Sequence, residues 1–175
     1  QSTAPVLWAG HPGHGDDLWT LEATIVIKDQ QVRAINCKAL LEQNNILSWE
    51  NWNRFSIKHS KPTTLGEKTK QVEFIKQELG LDQGDNPAGL YAYRQGDNLL
   101  YVGKGRPLFN RLKSHYRESY EPIPGDTRTK RWHRFFSAHT GDLTIYWITV
   151  KDEMTRKILE LAFQVHYKPM FESFR

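Results

Sequence analysis

The chain is predicted to fold as an α+β protein built on a small, mostly antiparallel sheet. From residue 87 onwards the sequence pattern gives strand, strand, helix, loop, strand and helix in that order, which is typical of this class. The 175 residues, of which 38% are hydrophobic, are enough for one packed core and argue against extended disorder. We therefore expect a C-terminal α+β domain at residues 87–175, preceded by an α/β extension at residues 1–86.

The extension is expected to begin with a flexible arm, because residues 1–18 are rich in Gly, Pro, His and Asp. Residues 18–28 alternate in polarity and are rich in β-branched side chains, which predicts a strand, and a second strand is expected at residues 31–37. A short helix is predicted at residues 38–46.

Three aromatic residues follow that helix at helical spacing, namely Trp49, Trp52 and Phe55. This spacing favours a place in the core, and the alternative is a platform on which nucleic-acid bases stack. Thr64 is a candidate N-cap for a helix over residues 65–80, which Gly80 is expected to end.

The boundary between the two parts is predicted within residues 80–89, a segment dense in turn residues. After it, the elements expected are a strand at residues 89–94, a hairpin turn at 95–98, a strand at 99–102, a helix at 107–118, a loop at 119–130, a short helix at 131–138, a strand at 143–150 and a helix at 152–167.

Positive charge is concentrated in the second half of the chain. Residues 1–86 carry 9 Lys and Arg against 11 Asp and Glu, whereas residues 87–175 carry 15 against 9. The cations are densest over residues 104–134, as Lys104, Arg106, Arg111, Lys113, Arg117, Arg128, Lys130, Arg131 and Arg134. Such a surface attracts polyanions through counterion release, although a solvated basic face remains the alternative.

Other features of the composition bear on disulfide formation, membrane association and cellular compartment. The single cysteine, Cys37, cannot form an internal disulfide and is expected to be a small buried residue at the end of a strand. No segment approaches the roughly 18 apolar residues that a membrane span needs, so no membrane partner is expected. We expect a cytoplasmic protein.

The predicted elements bring together side chains suited to phosphodiester chemistry. Tyr91 and Tyr101 lie on the two strands of the hairpin, Arg111 and His115 share one face of the next helix at i, i+4, and Glu160 lies on the last helix. Attack on phosphorus needs an activated water and relief of charge on the phosphoryl oxygens. A hard divalent ion can be held by one carboxylate and complete its shell with water and phosphate.

The same residues resemble the GIY-YIG nuclease family. The resemblance lies in GLY at residues 89–91, YVGKG at 101–105, RLKSH at 111–115 and KILELAFQVHYKP at 157–169, and it extends over residues 89–172. The step of ten residues from Tyr101 to Arg111 and the step of nine from Glu160 to Pro169 fit the usual layout of that family. The resemblance implies a three-stranded antiparallel sheet flanked by helices.

The resemblance also implies a role for each of these residues. Tyr91 would lie near the attacking water and take or relay its proton, with help from positive charge such as Lys104 or a metal ion. Tyr101 would order the water or the phosphate, and Arg111 would bind the scissile phosphate. His115 would orient Tyr91 or the phosphate, or shuttle protons.

Glu160 is implied to be the sole protein ligand of a divalent metal ion, Mg²⁺ in the first instance and Mn²⁺ as an alternative. Met154, Ile158, Leu161, Ala162 and Val165 mark an apolar stripe on its helix, and Glu160 lies off that stripe. Periodicity alone would therefore place Glu160 in solvent.

One position departs from the family pattern. Family members usually carry Asn shortly after the proline of the last helix, where this chain has Met170, Phe171 and Glu172. Glu172 is either a second carboxylate of the site or a surface residue.

The function implied is a metal-dependent DNA endonuclease leaving 5′-phosphate and 3′-hydroxyl ends, of the type II restriction or mobile-element kind. Residues 1–86 would select the target or support oligomerisation. The DNA would be bound by basic residues of the second half, namely Lys104, Arg106, Lys113, Arg117, Arg128, Lys130, Arg131 and Arg134. Cutting both strands of double-stranded DNA with one small site would favour a homodimer or higher oligomer. The alternatives are a structure-selective repair or toxin nuclease and a nucleic-acid-binding module whose catalysis has lapsed.

Overall fold

The computed structural model describes residues 36–59, 61–121 and 123–170, apart from the side chains of residues 128 and 129. The predicted arm, the strand expected at residues 18–28 and most of the strand expected at residues 31–37 lie outside the described residues. Residues 36 and 37, expected at the end of that second strand, are helical, and Cys37 is buried as predicted.

The described elements are five helices and four strands, and the first and the last of them are helices. In chain order they are a helix α1 over residues 36–43, β1 (Asn53–His59), α2 (Leu65–Glu78), β2 (Gly89–Gln95), β3 (Asn98–Gly105), α3 (Leu108–Glu118), α4 (Thr127–Ala138), β4 (Gly141–Thr149) and α5 (Glu153–Tyr167).

The sheet has four strands in the order β1-β4-β2-β3, and every neighbouring pair is antiparallel. Strands β2, β3 and β4 are the three that were predicted, which confirms the α+β class with an antiparallel sheet. The fourth strand, β1, pairs with β4 from Asn53↔Trp147 to His59↔Gly141. Part of the predicted extension is therefore hydrogen-bonded to the same sheet.

The helical spacing read at Trp49, Trp52 and Phe55 is wrong as secondary structure. Trp49 begins a short 3₁₀ turn, and Phe55 lies on β1. The burial pattern of β1 has period two, with Phe55, Ile57 and His59 turned inwards, because alternate side chains of a strand point to opposite faces. The expectation that Trp52 and Phe55 belong to the core is confirmed.

Helix α2 begins and ends as the sequence predicts. The Thr64 hydroxyl accepts a hydrogen bond from the Glu67 backbone N–H at 3.0 Å, and Gly80 follows the helix in the left-handed conformation at φ 80°. Helix α4 is longer than expected, because it begins at Thr127 within the predicted loop.

Helices cover the sheet on both faces, so β2 is buried along most of its length. Tyr91 and Tyr93 pack on one face with side chains of α2, α3 and α4, whereas Leu90 and Ala92 pack on the other face with α1 and α5. This two-sided packing gives the sheet two separate hydrophobic clusters. None of the helices within the described ranges is long and apolar enough to cross a membrane.

The apolar stripe predicted for α5 is only partly correct. Ala162 and Val165 are buried, but Met154, Ile158 and Leu161 are exposed. The buried face is instead centred on Leu159 and Phe163, whose ring contacts Trp49 and Trp52 at centroid distances of 5.2 and 5.3 Å. This rotation of the buried face places Glu160 at its margin, where it is half-buried.

His59 at the end of β1 is buried among aromatic rings. Its ring stacks on Phe136 at 4.7 Å, and within the described residues neither ring nitrogen has a hydrogen-bond partner. Burial, and then the electrostatic influence of His115, lower the pKa of His59 from 6.5 to about 4. His59 is therefore neutral at neutral pH.

Replacing Ile57 by Ala tests whether β1 is an integral strand. The side chain is 4% exposed, and its truncation leaves a cavity, so the free energy of unfolding should fall by about 2–5 kcal/mol. Urea denaturation followed by circular dichroism measures the change. Lys58→Ala, on the exposed face of the same strand, should change stability by less than about 0.5 kcal/mol. Equal effects of the two substitutions would contradict this packing.

The neutral state of His59 predicts a loss of stability in acid. Between pH 6.5 and about 4 the unfolded chain binds a proton at His59 that the folded chain does not, so acidification favours unfolding. His59 should contribute a loss on the order of 3 kcal/mol across this window. His59→Phe keeps an aromatic ring and should remove that part of the pH dependence. Identical pH profiles for the wild type and His59→Phe would contradict the assignment.

Candidate active site

A cavity of about 450 Å³ lies where the end of β3 meets helices from both faces of the sheet. Four side chains that the sequence singled out line it, two from β3, one from α3 and one from α5. They are Tyr101, Lys104, Arg111 and Glu160. Arg106, predicted to bind DNA, also lines the cavity.

Tyr91 and His115 are not among the residues that line this cavity, and both side chains are fully buried. The Tyr91 hydroxyl lies 2.6 Å from His115 Nε2, which is a hydrogen bond between β2 and α3. Tyr91 is also hydrogen-bonded to Arg111, whose guanidinium donates to the phenol oxygen. Because Arg111 lines the cavity, this bond links the buried pair to it.

Burial raises the pKa of Tyr91 well above its usual value of 10, and the neighbouring Tyr101 raises it further. The positive charge of Arg111 acts in the opposite direction. The phenol therefore keeps its proton at neutral pH. It can pass a proton from one neighbour to another, but it does not stand ready as a phenolate.

Arg111 is half-buried, and its guanidinium is positively charged. The pKa of the Arg111 guanidinium is raised, chiefly by the electrostatic influence of Tyr91, while burial acts against this rise. A guanidinium presents several N–H donors in a fixed plane, so it can bind the Tyr91 oxygen and still direct donors towards a phosphate.

Gly103 explains how Tyr91 reaches this position. The two residues are cross-strand partners, and a β-carbon at residue 103 would lie 2.5 Å from the Tyr91 hydroxyl and 2.7 Å from the Tyr101 ring. Side chains larger than hydrogen are therefore excluded there. The absence of a side chain at Gly103 leaves the space that the rings of Tyr91 and Tyr101 occupy.

Two carboxylates line the cavity, both from α5. Glu153 forms an ion pair with Arg106 at 3.3 Å and is exposed, whereas Glu160 is half-buried. Within the described residues no group of three His, Cys, Asp or Glu side chains could hold a metal ion. The donor set therefore fits a hydrated hard cation on a single carboxylate, with water and a phosphate as its other ligands.

The sequence did not single out several residues of the cavity. Asn110 lies on α3, Trp132 on α4 and Arg156 on α5. Arg156 is buried, and its Nη1 donates to the carbonyl oxygens of Val150 and Lys151, each at 2.8 Å, so it holds the turn that leads into α5. The positive charge of Arg156 was the feature of the sequence that could have identified it, because a charged residue within an apolar helical pattern needs a partner.

Trp132 packs against two residues of the predicted site. Its ring lies 4.2 Å from the His115 ring and 4.6 Å from the Tyr101 ring, between centroids. Trp132 thus forms a wall between the buried histidine and the cavity. Because most of residues 130–134 are basic, the sequence did not indicate this role of Trp132.

The remaining residues predicted to bind DNA lie on α3 and α4. Lys113 and Arg117 are exposed on α3, and Lys130, Arg131 and Arg134 are exposed on α4. The side chain of Arg128 and all of Glu172 lie outside the described residues. The cavity itself carries the cations Lys104, Arg106, Arg111 and Arg156 against two carboxylates, which suits an anionic ligand.

No protein-family profile matches this chain. The UvrABC system protein C of Aliarcobacter butzleri (strain RM4018) is 33% identical over 92 residues, which is 52% of this chain but only 14% of the relative. The chain therefore spans about one-seventh of the length of the curated relative it matches.

Solved structures of the GIY-YIG N-terminal endonuclease domain of UvrC from Thermotoga maritima are also similar. A tyrosine-to-phenylalanine point variant has 23% sequence identity and a TM-score of 0.38, and an asparagine-to-alanine variant has 24% and 0.37. Each match covers 58% of this chain and 98% of the domain, and each of those structures is bound to its catalytic divalent cation. The 33% identity to the UvrABC system protein C confirms the predicted resemblance to proteins that carry a GIY-YIG endonuclease domain.

Proposed function

We propose that this chain is a metal-dependent endonuclease that hydrolyses phosphodiester bonds in DNA. The observation that carries the proposal is the single cavity in which Glu160, Arg111, Tyr101 and Lys104 meet, with Tyr91 and His115 hydrogen-bonded directly behind Arg111. These groups supply a metal ligand, charge stabilisation and a route for a proton, which are the needs of phosphodiester hydrolysis.

Glu160 would hold a divalent cation, Mg²⁺ in the first instance and Mn²⁺ as an alternative. The cation would polarise a phosphoryl oxygen as a Lewis acid. The carboxylate reaches the cavity from α5, which packs on the other face of the sheet from Tyr91. A phosphate between them would be approached from both sides.

Arg111 and Lys104 would bind the scissile phosphate from the side of the hairpin and α3. Arg111 is held at its phenol contact before any substrate arrives, so its donors need little reorganisation as negative charge develops. Lys104 lies near the end of β3 and would act as a second positive charge on the same group. Tyr101, on the cavity wall, would order the attacking water.

Tyr91 would pass the proton of that water inwards. Its raised pKa keeps the phenol protonated, so it cannot act by first losing its proton to solvent. It can accept a proton only while giving its own to His115 Nε2, which lies 2.6 Å away. The two residues therefore form one relay.

For the target, we propose a duplex DNA site of the kind cut by restriction or mobile-element nucleases. The support is that residues 36–86, which have no role in the cavity, add β1, α1 and α2 to the nuclease-like sheet. We further propose that residues 1–86 act in target selection and residues 87–175 in chemistry. One cavity per chain cuts one strand at a time, so a double-strand break favours a homodimer.

A structure-selective nuclease is the second candidate, and the similarity to UvrABC system protein C favours it. The two candidates differ in their products. A site-specific enzyme gives discrete fragments from a long mixed duplex, whereas a structure-selective enzyme leaves that duplex intact and cuts at flaps, bubbles or lesions. Sequencing the product ends separates them.

Glu160→Gln should abolish cleavage without abolishing binding. The amide keeps the shape of the side chain but lacks the charge that holds the cation, so the rate of plasmid cleavage with Mg²⁺ should fall by at least about 100-fold. Removing the metal with a chelator should have the same effect on the wild type. Binding is measured by fluorescence anisotropy without metal.

Glu153→Gln is the matched control for this test. Glu153 lies on the same helix and lines the same cavity, but it is exposed and paired with Arg106. Its substitution should leave the cleavage rate close to that of the wild type. Loss of cleavage in Glu153→Gln and not in Glu160→Gln would move the metal site away from Glu160.

Arg111→Ala should lower the single-turnover rate of cleavage by about 10²–10³-fold, because it removes oriented charge from the transition state. Arg117→Ala, an exposed arginine on the same helix, should weaken DNA binding and reduce its salt dependence by about one counterion while sparing that rate. A rate change of less than about tenfold for Arg111→Ala would contradict its role.

A further inference from the structure

A third residue, Glu118, extends the hydrogen-bonded pair formed by Tyr91 and His115. The other ring nitrogen of the histidine, Nδ1, lies 3.2 Å from Glu118 Oε1. Glu118 follows His115 by three residues on α3, so the helix itself sets this contact. The side chain of His115 is fully buried, and that of Glu118 is 13% exposed. The three groups thus form a hydrogen-bonded row from β2 to the end of α3.

The contacts at the two ends of this row determine where the imidazole carries its proton. A neutral imidazole donates through one nitrogen and accepts through the other, whereas an ionised carboxylate only accepts. Nδ1 must therefore be the donor towards Glu118, and Nε2 is left as the acceptor. The Tyr91 oxygen already accepts from Arg111, so its own hydrogen is directed at Nε2.

The surroundings of His115 strengthen the effect of the carboxylate. The rings of Trp132, Tyr101 and Tyr93 pack around the imidazole at 4.2, 5.8 and 6.0 Å and help to exclude water. In such a low-dielectric setting a carboxylate stabilises a neighbouring imidazolium more strongly than it would in water.

We propose that Glu118 is a positioning residue of this site, which holds His115 in the tautomer that can receive the Tyr91 proton. This inference rests on the proposed function. Glu118 orients the ring and supports its positive charge, in the manner of the carboxylate that orients a catalytic histidine in hydrolases. It does not touch the substrate.

The proton transfers along this row accompany hydrolysis of the phosphodiester bond. The oxygen of water bonds to phosphorus, and its proton moves to the Tyr91 oxygen as the Tyr91 proton moves to His115 Nε2. The bond from phosphorus to the leaving oxygen breaks, and that oxygen keeps the electron pair and takes a proton from solvent. The imidazolium, held beside the Glu118 carboxylate, returns its proton through Tyr91 to solvent after the product leaves.

The tautomer can be read directly by ¹⁵N NMR of the imidazole in the full chain. In the wild type, His115 should show a protonated Nδ1 and an unprotonated Nε2. Glu118→Ala should remove this preference and shift both nitrogen resonances. Glu121→Ala, a nearby exposed glutamate paired with Lys68, is the matched control and should leave the His115 resonances unchanged. An unchanged His115 tautomer in Glu118→Ala would overturn the proposal.

Cleavage rates give the second readout. Glu118→Ala should lower the single-turnover rate by about 100-fold, within the range expected for a supported acid–base group, while Glu121→Ala should not. Glu118→Gln keeps the size of the side chain, so a loss of rate in this variant reports the loss of charge and not a loss of packing. It should fold like the wild type and still be slowed at least about tenfold, because a neutral amide cannot balance an imidazolium. A Glu118→Gln enzyme at the wild-type rate would overturn the proposal.

The two readouts separate this inference from the proposed function. If the wild-type chain cuts no DNA with Mg²⁺ or Mn²⁺, the endonuclease proposal fails, but the NMR experiment still decides whether Glu118 sets the tautomer. If the wild type cuts and the Glu118 variants keep both the tautomer and the rate, only the role of Glu118 fails.

Discussion

The packing of the Tyr91 ring over Gly103 is the constraint on which the site depends. The two residues face each other across the hairpin, and the absence of a side chain at residue 103 leaves room for the phenol. From there its hydroxyl meets His115 and Arg111 on consecutive turns of one helix. A hairpin and a helix that are adjacent in sequence therefore assemble most of the site through local geometry.

Glu160 reaches the site by a different route. It lies on the last helix, on the opposite face of the sheet, and it meets the other residues at the end of β3. Its position depends on long-range packing, in which Leu159 and Phe163 set the rotation of α5 and Arg156 holds the turn before it. The proposed metal ligand and the proposed phosphate-binding residues are thus positioned by separate clusters of the core.

The parts of the fold that follow local rules were predicted from the sequence. The hairpin, the cap of α2 at Thr64 and the i, i+4 relation of Arg111 and His115 depend on residues close along the chain. What the sequence could not supply depends on partners far away. Phe55 looked helical beside Trp49 and Trp52, yet it pairs with β4 some ninety residues later. The stripe on α5 was misjudged because aromatic residues from the first part of the chain select its buried face.

The order of the strands has a consequence for how such a protein can change. The hairpin of β2 and β3 occupies one margin of the sheet, and β1 occupies the other, with β4 between it and β2. The backbone pairing of β1 therefore reaches the hairpin only through β4, so a change at the outer edge of β1 leaves the hydrogen bonds of the hairpin intact. A change in α1 meets the hairpin directly, because Leu41 shares a hydrophobic cluster with Leu90 and Ala92.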